Sequence, residues 1–125
     1  SSAAMILDAD HAILRLQDPA TRRYAIRSYY GSAEGQTQEA LFRLDKAVTV
    51  GSIRRRSPHL VQDASLDPQL APLVDELRSI LTAPLRRGAD VIGTLSLYDK
   101  VALDRFFTSR FDDDDLQVFA RFVSY

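Results

Sequence analysis

The stretch from Ser79 to Tyr98 constrains this chain more than any other. Ser79-Ile80-Leu81-Thr82-Ala83-Pro84-Leu85 leads into Arg86-Arg87-Gly88-Ala89-Asp90, and Val91-Ile92-Gly93-Thr94-Leu95-Ser96-Leu97-Tyr98 follows. Two apolar runs about a glycine-containing turn predict paired strands over Ile80 to Leu85 and Val91 to Tyr98. In the second strand Val91, Gly93, Leu95 and Leu97 face one way, and Ile92, Thr94, Ser96 and Tyr98 face the other. The second row is the more polar, which suits either a solvated face or the wall of a ligand cavity. Pro84 has no N–H to give a ladder, so it predicts an edge position or a bulge. Beyond this pair, Asp112 to Asp115 opens a final helix whose apolar stripe is Leu116, Phe119, Ala120 and Val123.

Upstream, His11 to Gln17 and Arg23 to Tyr30 read as strands joined by the turn Asp18-Pro19-Ala20-Thr21, where Asp offers a side-chain acceptor and Pro fixes φ. The short apolar segment Ser1 to Leu7 is the tail of a helix or a lead-in strand. Gly31 stops the second strand, Ser32 to Glu39 reads as a polar turn, and Leu41, Phe42 and Leu44 as a short apolar patch. A helix is expected over Lys46 to Arg56, although Val48, Thr49, Val50 and Gly51 are weak helix formers. It ends before Pro58. His59 to Gln62 suits a short edge strand, and Asp63 to Pro68 a loop. Leu70, Leu73, Val74 and Leu77 recur at helical spacing, with Asp67 as cap, Pro68 in the first position and an end near Arg78. The order is strand, strand, helix, strand, helix, strand, strand, helix, an α+β domain.

Composition removes several functions. The 125 residues suit one domain able to bury a core without staples. There is no cysteine, so disulfides, thiol nucleophiles, cysteine metal ligands and thioether-linked chromophores are all out of reach. Sixteen basic against 17 acidic residues, a formal charge of -1, gives no net pull toward nucleic acid or anionic lipid. No apolar run approaches the roughly 18 residues of a membrane helix. The start has no basic leader, and Asp8, Asp10 and His11 interrupt its apolar stretch, so it does not read as a signal peptide. A cytoplasmic setting is expected. Because Ser1 falls inside an apolar pattern and Tyr125 closes a barely finished helix, residues 1–125 read as one domain of a larger protein.

These motifs, in this order, resemble the GAF domain, a regulatory sensor fold related to PAS. The likeness runs from His11 to Val123. It is tightest in Glu76 to Leu85 and Val91 to Tyr98, which are similar to the family's S-x-L-x-x-P-L and x-x-G-x-L-x-L signatures. Asp18, Gly31, Asp63 and Phe111 to Phe119 also match. The resemblance implies a central antiparallel sheet of five or six strands. Helices from both ends of the domain would pack on one face, and a ligand cavity closed by the middle helices and loops would lie on the other. Most of the family's first helix is missing, and a glycine usual at the start of the third element is replaced near Asp45 and Lys46. Partners implied are an unidentified small molecule, an attached output domain and a second copy of the chain paired through terminal helices. Phe119, Phe122 and Tyr125 are more apolar residues than one stripe needs, and would pack on the sheet, meet the second copy or cover what the missing first helix leaves bare. Neither nucleic acid nor membrane insertion of the domain is implied, and no cofactor is named.

On that resemblance, the expected ligand contacts are Thr82 from one strand, Thr94, Ser96 and Tyr98 from the next, Asp63 after the short strand and Arg54 at a helix end. Hydroxyls at alternate positions give fixed donors and acceptors against an apolar wall. Arg54-Arg55-Arg56 offers guanidinium for a phosphate or carboxylate, or simply favours a helix C-terminus. Four successive Asp residues cannot all reach one ion from a helix start, so Asp112 or Asp113 reads as a cap. His11 and His59 lack metal-pair spacing. Arg78 and Ser79 are expected to tie their segment to the sheet. Ser79 has no adjacent base to activate it. The family's free methionine sulfoxide reductases work through cysteines that this chain lacks. Its cyclic-nucleotide binders carry an Asn-Lys-x-x-x-Phe-x-x-x-Asp-Glu pattern that Asp99-Lys100 and Phe106-Phe107 echo only faintly, with Asp where Asn belongs. The expectation is a non-catalytic sensor module of a bacterial signalling protein that relays a ligand-induced change to an output domain. The alternative is a ligand-free dimerisation or protein-interaction module.

Overall fold

Strand pairing follows the sequence closely in a computed structural model of the chain, which describes residue 4, residues 7–101 and residues 110–124. Strands β1 (Ala9–Gln17), β2 (Tyr24–Tyr30), β3 (His59–Val61), β4 (Ile80–Arg87) and β5 (Asp90–Lys100) form one sheet in the order β2-β1-β5-β4-β3. Every neighbouring pair is antiparallel. Among the described residues it is flanked by α1 (Gly35–Arg55) and α2 (Asp113–Val123), and Ala4 is also helical. Of the opening apolar segment only Ala4, Leu7 and the residues after them are described; Phe106, Phe107 and Tyr125 also lie outside the described residues.

The β1–β2 turn is closed by Asp18, whose side chain accepts from the Ala20 amide at 2.8 Å. Pro84 sits in β4 opposite Thr94 of β5, but β3 pairs with β4 only from Ile80 to Thr82. The missing N–H therefore falls past the end of β3, where no ladder needs it, and a bulge follows at Leu85/Arg86. Gly93 opposes Leu16 of β1. A Cβ there would run into the Arg15 carbonyl oxygen, so the β1–β5 approach demands glycine.

The sheet is covered on both faces. Leu81, Ala83, Leu95 and Leu97 pack with Ala4, Leu7, Phe111 and Phe119 on the α2 side. Ile13, Ile80 and Tyr98 pack with Leu41, Leu44 and Val48 on the α1 side. Thus the middle helix closes the second face, and the C-terminal helix takes the first. Asp112 caps α2 in a reciprocal box with Asp115, each side chain accepting from the other's amide at 2.9 and 3.0 Å. The remaining acidic residues of its first turn favour the helix dipole.

Two helical expectations are corrected. Helix α1 begins at Gly35, not Lys46, and takes in most of the segment read as a polar turn together with the Leu41–Leu44 patch. Its inner face is Leu41, Leu44, Asp45, Val48, Thr49 and Ser52. Those positions keep helical spacing, but half are polar, so the stripe does not stand out as apolar. Packing also overrides the weak propensities of Val48 to Gly51. Arg56 ends the helix at φ 61°, its N–H bonded to Ser52 O. The helix expected over Pro68 to Arg78 does not form. Ala64–Leu66 and Ala71–Leu73 are single 3₁₀ turns instead. Pro72 explains this: in an α-helix begun at Pro68 it would have to donate to the Pro68 carbonyl, and it has no N–H. Asp67 still caps, accepting from the Gln69 amide at 2.9 Å, but starts only a turn.

Candidate functional site

Between β4–β5 and α1 lies a buried polar layer. The strand pleat sends Thr94, Ser96 and Tyr98 toward α1, and all three are buried, as is Thr82 on β4. From α1, successive turns bring Asp45, Thr49 and Ser52 down onto them, and Arg15 enters from β1. The layer is therefore assembled from four elements.

Asp45 is its centre. Its Oδ2 accepts from Arg15 Nε at 2.5 Å and from Thr49 Oγ1 at 3.5 Å, and its Oδ1 accepts from the Tyr98 hydroxyl at 2.5 Å. Arg15 spends its other donors on the Tyr24 and Phe42 carbonyls, at 3.1 and 3.4 Å. Thr49 lies 3.5 Å from Thr94, and Thr82 shares a 2.8 Å bond with Ser96. Ser52 Oγ is buried and, among the described residues, has no hydrogen-bond partner. Burial raises the Asp45 carboxyl above its ordinary value even though Tyr98 and Arg15 oppose that shift. Burial and the charge of Asp45 push the Tyr98 phenol well up, so it remains a donor. Hydroxyls, a phenol and one compensated ion pair make a polarisable seat for hydrogen bonding. Among the described residues no group of three or more His, Cys, Asp or Glu could hold a metal ion.

The layer connects outward on two sides. Toward solvent, Arg15 and Thr49 also line an open groove of ≈ 610 Å³ between α1 and the β1–β2 turn end. Toward the C-terminus, β5 carries Asp99 and Lys100 directly after Tyr98. Asp99 accepts from Arg78 and, at 3.1 Å, from the Ser79 amide. Ser79 Oγ in turn accepts from the Phe111 amide at 2.9 Å, just ahead of α2. Lys100 Nζ reaches Asp115 in the first turn of α2 at 3.0 Å, and this bond raises the lysine pKa. Arg78 and Ser79 thus bind the end of β5 and the lead into α2.

Of the six residues expected to contact a ligand, the fold gathers Thr82, Thr94, Ser96 and Tyr98. Asp63 stands apart: its Oδ1 accepts from the Ser65 amide at 3.0 Å and the Ser65 hydroxyl at 2.7 Å, opening a 3₁₀ turn. Arg54 is exposed in the last turn of α1. Sequence reasoning missed Arg15, Asp45 and Thr49. The available signal was Asp45, Thr49 and Ser52 in step with Leu41, Leu44 and Val48, a core-facing stripe with polar members. His11, half-buried at the start of β1, lies 2.8 Å from the Tyr29 hydroxyl, which accepts from the Ala33 amide.

The sequence profile of the GAF domain family matches residues 1–125. The chain is a GAF domain. Proteins of this family generally serve as regulatory sensors in signalling proteins. No match was found among curated proteins. Solved structures of similar fold include a GAF domain/HD domain protein from Geobacter sulfurreducens, at TM-score 0.68 and 19% identity, over 98% of this chain and 80% of that one. The GAF domain from an Acinetobacter phosphoenolpyruvate-protein phosphotransferase gives 0.66 and 19%, over 98% and 71%. A type II free methionine-R-sulfoxide reductase from Thermoplasma acidophilum gives 0.68 and 11%, over 98% and 82%. The fold is thus shared by GAF domains that differ in what they do. No helix among the described residues is long and apolar enough to cross a membrane.

Proposed function

We propose that this GAF domain is a non-catalytic sensor module of a bacterial signalling protein. It takes up a small molecule on the α1 side of the sheet and passes the change to an attached output domain through α2. One observation carries the reading: the Asp45 layer joins a solvent-facing groove, through Thr49 and Arg15, to β5, whose end is bonded to the first turn of α2. A ligand that competes for Thr49, Arg15 or the hydroxyls of Thr82, Thr94, Ser96 and Tyr98 changes how α1 sits on β5. The shift it produces is limited by its unequal affinity for the two arrangements. Asp63 and Arg54 do not line the groove and contact the ligand only if it spans beyond it. Absence of any cysteine leaves the chain without the thiol on which the family's sulfoxide reduction depends.

A second reading has its own support. Val118 and Phe122 are exposed on the outer side of α2, and apolar residues so placed suit a second copy of the chain or another helix, with no ligand required. Native mass spectrometry of the protein purified from the cells that make it separates the two. The sensor reading expects a stoichiometric small-molecule adduct that is lost on denaturation. A uniformly apo dimer whose melting temperature no compound of a metabolite library raises would reject it in favour of the interaction module.

A further inference from the structure

The groove beside the polar layer has a one-sided chemistry. Among the described residues three cations line it, Arg15 from β1, Arg23 just before β2 and Lys46 from α1, and no carboxylate does. Arg15 is neutralised by Asp45. Arg23 and Lys46 are exposed, and among the described residues neither has an ion-pair partner. Beside Lys46 the α1 wall carries apolar residues. Val50 and Ile53 follow Lys46 at helical spacing on the same side of α1, and Val50 is 54% exposed.

The groove is also held open by fixed parts. Tyr24 lines it and is pinned at both ends: its hydroxyl donates to the Val91 carbonyl at 3.0 Å and its own carbonyl accepts from Arg15. Thr49 lines the groove and touches both Asp45 and Thr94. A volume of ≈ 610 Å³ suits a small metabolite. Two unbalanced cations repel metal ions and amines. They attract a carboxylate or phosphate, which the Arg23 guanidinium can bind bidentately. Val50, Ile53 and the Tyr24 ring give apolar surface for the rest of such a molecule.

We infer that this groove is the binding site of a small anionic amphiphile: a carboxylate or phosphate head held by Arg23 and Lys46, with an apolar body against Val50, Ile53 and Tyr24. The inference rests on the sensor reading and names the ligand class for it. Thr49 is the positioning residue by which occupancy reaches the Asp45 layer.

The test is an amide NMR titration of the ¹⁵N-labelled chain at low salt with benzoate, phenyl phosphate and benzylamine. The two anions are expected to shift the Lys46, Thr49, Val50 and Ile53 amides saturably, and benzylamine to leave them in place. The double reversal R23E/K46E alters only exposed side chains. It should keep the fold's spectrum and weaken both anions by at least about tenfold. Equal response to benzylamine, indifference to R23E/K46E, or no saturable shift with either anion overturns the inference. A thermal-shift screen of a mixed metabolite library tells this failure from that of the parent reading. Stabilising compounds insensitive to R23E/K46E remove the groove but keep the sensor, and a screen with no stabilising compound removes both.

Discussion

Replacing Asp45 with Ala should cost this domain much of its stability, and the reason lies in what is left behind. The Asp45 carboxylate is fully buried, and the Arg15 side chain beside it is 10% exposed. Removing one member of a buried pair strands the other charge, at about 3–5 kcal/mol. The Tyr98 hydroxyl, buried and donating to Asp45 at 2.5 Å, loses its acceptor, and an orphaned hydroxyl costs about 1–3 kcal/mol. The two losses overlap, because Arg15 keeps its bonds to the Tyr24 and Phe42 carbonyls. The expected loss is about 4 kcal/mol, against the roughly 5–15 kcal/mol by which small domains are stable. Removing both charges is a different matter. Desolvation offsets most of what a buried pair gains, so R15M/D45L should keep mainly the cost of the orphaned Tyr98 hydroxyl, about 1–3 kcal/mol, and be more stable than D45A. Urea unfolding of the parent, D45A, R15M and the double variant measures the coupling. A D45A loss below about 1 kcal/mol, or a double variant as unstable as D45A, would refute a buried, mutually dependent pair.

Other consequences follow from the same contacts. Thr82→Val or Ser96→Ala alone leaves a buried hydroxyl without its 2.8 Å partner and should cost about 1–3 kcal/mol in urea unfolding, whereas the double variant should be nearly neutral. Phe119 is completely buried on the α2 side, and Phe119→Ala should cost about 3–5 kcal/mol; if it does not, α2 is not part of the core. His11 and His59 are both held below the ordinary 6.5, first by burial. Their contribution to stability is present above 6.5 and is lost as pH falls through the depressed values. Burial raises Asp45 and Asp99 instead, and their contribution, present below the ordinary carboxylate value, is lost as pH rises. Acidification from pH 6.5 thus loses the histidine contribution while it regains that of the two carboxyls, and the melting temperature should shift less downward in His11→Gln than in the parent; an unchanged slope would contradict the buried, neutral His11.

The strands were legible because their signals are local. Asp18-Pro19 made a turn, Gly88 sat between two apolar runs, and Thr94, Ser96 and Tyr98 alternated with Leu95 and Leu97. Pro84 revealed an open edge that the sheet order then explained. Helix α1 was half hidden for the reason that makes it interesting. Its inner face carries Asp45, Thr49 and Ser52, whose burial depends on partners from β1 and β5 that no local window contains. The Leu70–Leu77 spacing misled because periodicity counts side chains, whereas Pro72 acts through the backbone donor it lacks. The hydroxyls of β5 were identified as a polar row, but their partners depend on tertiary packing.

Signalling through α2 is tested most directly by amide hydrogen exchange of that helix, with and without whichever compound of the metabolite screen raises the melting temperature most. Such signalling requires altered protection at Asp113 to Val123 together with the residues around Asp45, and loss of the α2 response in Lys100→Met, which cuts the bond to Asp115. Protection that changes only beside the bound compound and leaves α2 untouched would contradict a sensor that signals through its C-terminal helix.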